Sequence, residues 1–257
     1  DAPKSNQNFV DRYGFANNST FDGESMILPR IGFNYTVSDN FVLSGGIGKF
    51  SGGYPLVWMS NSYSNDGQSA LTYFGGWDPT WNIDFAQVPA DATSGLVGGD
   101  GLVNAVSPNF DMPYDWRYSL RAETYWSIPM LGDDVEIAAE LMLKHNKNDV
   151  RWVDLSRRYV GVDGTGRTVY ETYDPLTQST TDRYDLMLTN AQDDGKSTIF
   201  TLSMNNDWGN GWSMFTSYTY QDVLEGNQGS SSTARSNYQY PVTRYDRNGS
   251  TLGPGYW

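Results

Sequence analysis

The chain has 257 residues, thirty Asp and Glu against seventeen Lys and Arg, a formal net charge of −13, a single histidine and no cysteine. Without cysteine there is no disulfide scaffold and no thiolate metal site, and with His145 alone there is no clustered-histidine zinc site. The absence of a basic run argues against a surface that tracks nucleic-acid phosphates, and no apolar stretch approaches the ~20 residues of a membrane helix.

The mean hydropathy of −0.56 suits a soluble protein. A membrane β-barrel gives a similar value, because its lumen and loops are polar and its apolar face occupies alternate positions. Nine Trp, eighteen Tyr and eleven Phe are too many aromatics for a disordered chain, and with 27 Gly and few helix formers they indicate an all-β protein. Residues 1–20 have no basic n-region and no apolar core, so no signal peptide is expected. The Gly-Pro-Gly-Tyr-Trp end lacks strand alternation, and the chain reads as a piece of a longer polypeptide.

Period-two alternation predicts six strands in three pairs. In the first pair, Ile27, Pro29, Ile31, Phe33, Tyr35 and Val37 oppose Arg30, Gly32, Asn34 and Thr36. A Ser38-Asp39-Asn40 turn then leads to a second strand over 41–50. The second pair is the clearest. Trp116, Tyr118, Leu120, Ala122, Thr124, Trp126 and Ile128 alternate with Arg117, Ser119, Arg121, Glu123, Tyr125 and Ser127. After a turn at 129–134, Val135, Ile137, Ala139, Leu141 and Leu143 alternate with Glu136, Ala138, Glu140, Met142 and Lys144. The Ala, Glu, Leu and Met of 138–143 have helical propensity, but the alternation favours a strand. The third pair sets Thr198, Phe200, Leu202 and Met204 before a turn at 206–211, then Trp212, Met214, Tyr218 and Tyr220.

The pairs therefore span about 27–50, 116–147 and 197–222, with short links inside each pair and long segments at 51–115, 148–196 and 223–257. Compact soluble domains rarely carry several loops beyond ~15 residues. Short turns at one end and long loops at the other are the layout of outer-membrane barrels. Residues 158–173, around Gly164-Thr165-Gly166, predict a hairpin within one such loop. Trp116 and Trp126 stand ten positions apart on the apolar parity; at ~3.3 Å per residue and ~40° tilt this is ~25 Å of height, that of a lipid-facing band. Trp116, Trp126, Trp212 and Tyr220 are the expected membrane girdle. A soluble antiparallel sandwich also alternates and remains the competing architecture.

Chemical motifs are sparse. Gly45-Gly46-Ile47-Gly48-Lys49 lacks the first glycine of a phosphate loop, and Phe50 stands where Ser or Thr should follow. Arg117, Arg121, Glu123, Glu136, Glu140 and Lys144 share the polar parity and predict a charge ladder lining a wet lumen rather than a catalytic pair. His145 is expected at an interface. Tyr54, Trp58, Tyr63, Tyr73, Trp77 and Trp81 fall in one Gly- and Asn-rich stretch; they suit glycan or peptide capture, or else pack together to shape the loop. Asp91, Asp100, Asp111 and Asp115 offer carboxylates for calcium without the spacing of a calcium loop, so no metal site is expected.

Several phrases carry a family likeness. Leu28-Pro29-Arg30-Ile31-Gly32-Phe33-Asn34, the run from Phe50 to Trp58, and Ser60 to Gly67 resemble TonB-dependent outer-membrane receptors of the Oar-like branch, whose members carry a carboxypeptidase-regulatory-like N-terminal domain. Asn210-Gly211-Trp212, Ser217 to Val223 and Ser231 to Tyr238 continue the likeness, which spans about residues 12–238.

The resemblance implies a ~22-stranded barrel holding a plug domain, energised through a TonB complex and set in the Gram-negative outer membrane with its long loops extracellular. No plug and no TonB box are recognisable in this sequence, and six strands are fewer than the ~8 of a small barrel. The expectation is a barrel segment that recognises and passes a small-molecule, glycan or peptide ligand, without catalysis or cofactor and with no nucleic-acid partner. The alternatives are a soluble aromatic-rich β-protein that binds glycans, and a structural assembly through exposed strand edges.

Overall fold

The computed structural model describes residues 2–51, 54–69, 100–180, 183–226, 231–240, 246–249 and 253–254. In chain order they form α1 (Gln7–Tyr13), β1 (Arg30–Ser38), β2 (Phe41–Phe50), α2 (Tyr54–Ser64), β3 (Asn104–Val106), β4 (Tyr114–Ile128) and β5 (Gly132–Lys147). There follow β6 (Val150–Asp154), β7 (Arg157–Val162), β8 (Thr168–Thr172), β9 (Leu186–Asn190), β10 (Lys196–Asp207), β11 (Ser213–Glu225), α3 (Ala234–Gln239) and β12 (Gly253–Pro254). None of the described helices is long and apolar enough to cross a membrane.

The six expected strands are β1, β2, β4, β5, β10 and β11, and they lie in that order in one antiparallel meander, with β12 touching the end of β11. The ambiguous 138–143 run is strand, paired on both sides. The first strand starts at Arg30 rather than Ile27: Pro29 has no N–H to give the ladder, although its carbonyl still accepts from Lys49 N at 2.9 Å. Because consecutive strands alternate in direction, the three short turns share one end of the sheet and the long connections leave from the other. No pairing of β1 with β11 closes the sheet among the described residues.

Register joins the alternating side chains into rows across the sheet. One row runs Phe33, Gly45, Leu120, Leu141, Phe200, Tyr220, and the next Tyr35, Leu43, Ala122, Ala139, Leu202, Tyr218. Opposite residues in an antiparallel ladder share a face, so these rows make one continuous apolar surface. Ile31, Phe33, Tyr35, Leu120, Leu141, Phe200, Leu202, Tyr218 and Tyr220 are all exposed on it. Gly45 keeps the surface tight, since a Cβ there would lie 2.4 Å from the Ser119 carbonyl oxygen and 3.1 Å from the Phe33 ring.

The buried core lies elsewhere. The segments expected as long loops fold together: β3, β9 and β6 form a second sheet in that order, parallel between β3 and β9. Against it pack Trp58 of α2, Phe110, and Ala234 and Tyr238 of α3, around Leu186 and Leu188. Phe9 of α1, with Val103 and Ala105, makes a smaller adjoining core. At ~1.5–3 kcal/mol per fully buried large apolar side chain, this module holds much of the hydrophobic stabilisation among the described residues. The reading of 51–115, 148–196 and 223–257 as loops is thus corrected for their described parts. The expected hairpin within 158–173 is present as β7 and β8, joined by a turn in which Gly166 N donates to the Asp163 carbonyl.

The helices have legible caps. Asn6 Oδ1 accepts from Phe9 N at 3.2 Å, and Gly14, at φ +76°, returns its N–H to the Val10 carbonyl at 2.8 Å. The α3 N-terminus is capped across space, where Asn61 Oδ1 accepts from Ala234 N at 3.0 Å.

Candidate functional site

The polar face of the meander gathers the charged residues named from sequence. Register sets Arg121 opposite both Ser44 and Glu140, with Glu123 one pair of residues further toward the short turns. The Arg121 guanidinium donates from Nη2 to Glu123 Oε2 and to Glu136 Oε1, each at 3.0 Å, and its Nη1 lies 4.0 Å from Glu140 Oε2. Tyr125 OH donates to Glu123 Oε1 at 2.6 Å, and Asn205 Nδ2 to Glu136 Oε2 at 3.4 Å. Three carboxylates thus surround one guanidinium, each part-exposed, beside an open depression of about 550 Å³ lined by Gly32, Asn34, Ser44, Arg121 and Glu140.

Nearer the long connections the sign of the charge reverses. Arg117 donates to Asp115 from Nε at 2.5 Å and Nη2 at 3.1 Å, with Lys144 Nζ 3.9 Å from the same carboxylate. Arg30 and Arg117 both stack on Phe50, at 4.2 and 4.7 Å from the ring centroid. The face therefore has a cationic end by the module and an acidic end by the short turns. Strand parity predicted the shared face. The contributions of Asp115, Tyr125, Asn205 and Arg30 depend on register and turn geometry, which parity does not supply.

The aromatic candidates separate. Trp58 is 2% exposed and its indole N–H donates to the Ser231 carbonyl at 2.7 Å. Its place as an exposed ligand-binding side chain is corrected: it is core, and it ties α2 to the segment before α3. Tyr54 opens α2, and Tyr63 on the same helix is exposed. Tyr73, Trp77 and Trp81 lie outside the described residues, as does Asp91.

Of the girdle candidates, Trp126 and Trp212 are exposed at the short-turn end, at 59% and 74%, and Trp116 pairs with His145 at the opposite end. Tyr220 is exposed as well, but register sets it in the row of Leu120, four residues along the strand from the level of Trp116. His145 is exposed and meets the Tyr118 ring edge-on.

Asp100, Asp174 and Asp185 are structural in the module, whereas the contacts of Asp111 are made by its backbone N–H and carbonyl with Asn190. Asp100, a calcium candidate, accepts both Arg12 Nη1 at 2.6 Å and Arg12 Nη2 at 2.8 Å, and also contacts Arg183 Nη1 at 3.2 Å. Arg12 Nε reaches Asp174 at 3.0 Å, and Arg183 and the Tyr13 hydroxyl both donate to Asp185. This network fastens α1 to segments some 90 and 160 residues away in sequence. Burial works against the charge of Arg12, but its hydrogen bonds to Asp100 and Asp174 raise its pKa above the ordinary arginine value. Burial, assisted by the charge of Asp154, lifts the Tyr238 hydroxyl to about 12. Among the described residues no group of three or more His, Asp or Glu is arranged to hold a metal.

No protein-family model, no curated protein and no solved structure matches the chain.

Proposed function

We propose that this chain is a wall segment of an outer-membrane β-barrel of the TonB-dependent receptor type, recognising a ligand through its long connections and passing it along the polar face without catalysis. One observation carries the reading. Six meandering strands present a continuous apolar face on which Phe33, Leu120, Leu141, Phe200 and Tyr218 remain exposed. In water such a face is costly and a target for aggregation; against acyl chains it is in its proper solvent.

Three features support it. The turns at one end are short, the polar face carries a hydrogen-bonded charge ladder, and Trp126 and Trp212 stand exposed at the short-turn end. In this reading the apolar face meets outer-membrane lipid, the polar face lines the lumen or meets a plug domain coupled to a TonB complex, and the module is extracellular. The ligand is a small molecule, glycan or peptide. The open edges of β1 and β11 are then strand-pairing positions in a larger barrel.

Membrane extraction tests this. The chain should stay with the outer membrane through an alkaline wash and need detergent for release. Recovery as a detergent-free soluble monomer would refute the reading and favour a soluble glycan-binding β-protein.

A further inference from the structure

Asp149 stands where the wall meets the module, just past the end of β5. Its Oδ2 is shared by three donors: Gly195 N at 3.2 Å, Gly226 N at 3.4 Å and Asn146 Nδ2 at 3.4 Å. These come from the entry to β10, the exit from β11 and the end of β5, so one carboxyl oxygen joins three of the connections between wall and module. The same residue's carbonyl accepts from Ala191 N at 2.6 Å. The joint is built around this side chain: a Cβ on Gly195 would fall 2.5 Å from Asp149 Oδ2, and one on Gly226 would fall 3.2 Å from Asp149 Cβ.

A second observation concerns hydrogen. Asn146, 8% exposed, donates its Nδ2 to Asp149, while its Oδ1 is buried with no hydrogen-bond partner. An orphaned buried acceptor is costly and calls for a donor. An ionised Asp149 offers only acceptors; a protonated one offers an O–H.

We propose that Asp149 is a proton-operated latch between wall and module, whose neutral carboxyl donates a hydrogen bond from its O–H to Asn146 Oδ1 and closes a two-bond acid–amide pair with that side chain. The proton stays on Asp149 Oδ1, so Asp149 Oδ2 keeps its donors from Gly195, Gly226 and Asn146 Nδ2. Loss of the proton reopens the pair and strands a charge beside Glu225 of β11, with Lys144 of β5 as the opposing cation. The Lys147–Asp194 ion pair flanks the joint on the side of Gly195. Burial is the main cause that raises the Asp149 pKa above the ordinary carboxylate range, while the three hydrogen bonds and Lys144 oppose it.

The sign follows. An acid whose folded pKa is raised favours the folded joint when protonated, so the joint tightens as pH falls through the folded value and loosens as pH rises. The latch concerns the joint alone; that it governs how firmly the wall holds a ligand-recognising module rests on the function proposed above.

Amide hydrogen exchange at Gly195 and Gly226 tests it in the full chain, without ligand. After correction for intrinsic rates, protection at both amides should rise about fivefold, the worth of one hydrogen bond, between about pH 8 and about pH 5. Asp149→Asn places an amide where the neutral acid stood and can give Asn146 Oδ1 an N–H. It should hold the high protection at every pH and remove one protonated-carboxyl band from the infrared spectrum. Glu225→Gln should move the wild-type transition to lower pH without abolishing it. Flat wild-type protection, or an Asp149→Asn joint looser than wild type at about pH 8, would overturn the proposal. Neither readout depends on membrane insertion, so failure of the latch and failure of the barrel reading are separable.

Discussion

Replacing Leu141 by Arg distinguishes lipid from water as the solvent of the apolar face. Leu141 lies in the row of Leu120 and Phe200, 39% exposed, four residues from the level of Trp116 and six from that of Trp126. At ~2.5 Å of height per tilted residue it stands within ~3 Å of the middle of a ~25 Å band. A guanidinium at mid-band costs about 2–4 kcal/mol when the face meets acyl chains, falling toward zero at the interfaces. In water the same half-exposed position should tolerate Arg within about 0.5 kcal/mol. Thr201→Arg, on the polar face one position from Phe200, is the matched control and should be nearly neutral. Denaturant unfolding from lipid vesicles measures both. If Leu141→Arg unfolds at the wild-type midpoint, the apolar face does not contact lipid.

Two further outcomes follow from the module. Trp58→Ala removes a core indole and its bond to the Ser231 carbonyl, and should cost about 3–5 kcal/mol of module stability, seen as an earlier near-ultraviolet melting transition. A ligand-capture defect with unchanged melting would restore Trp58 to a binding role. Asp174 is buried, which raises its pKa, but the hydrogen bonds from Arg12 and from Leu176 N bring it below the ordinary carboxylate value. Its stabilisation is therefore complete above the unfolded value of about 3.9 and is lost as pH falls through the lower folded value. Arg12→Met should cost about 3–5 kcal/mol at neutral pH and less in acid, where the orphaned carboxyl is neutral; an equal loss at both pH values by chemical denaturation would contradict this.

The wall was legible in the sequence because its information is local. Trp116 to Trp126 and Val135 to Leu143 each present one apolar face, and period two is all a reader needs. The module was not legible because β3 is buried throughout and β6 nearly so, which leaves no alternation to read, and β9, which does alternate, is only five residues long. Its pairings are also distant, with Asn104 beside Leu186 and Asn61 capping Ala234. Local signals were left by α1, in Asn6 and Gly14 set on either side of about two turns of helix, and by the β7–β8 hairpin around Gly164-Thr165-Gly166. The charge ladder was half legible. Parity gave its members, but its organisation into an acidic end around Arg121 and a cationic end around Phe50 depends on register between strands. Between the two readings of Trp58, capture or packing, the local sequence does not choose: an aromatic in a Gly- and Asn-rich segment looks exposed until α2 docks on the β9 and α3 side chains that cover it.

The central claim is that the aromatic-rich face of the meander lies against lipid. Tryptophan quenching by acyl chains brominated at graded depths tests this most directly, using single-tryptophan variants that retain Trp126 or Trp212 at the short-turn end or Trp116 at the other. Strong quenching by shallow bromines at all three positions, with a tryptophan placed at Leu141 quenched most by the deepest, is the predicted result. Fluorescence indifferent to brominated lipid but quenched by aqueous iodide at all four positions would contradict it.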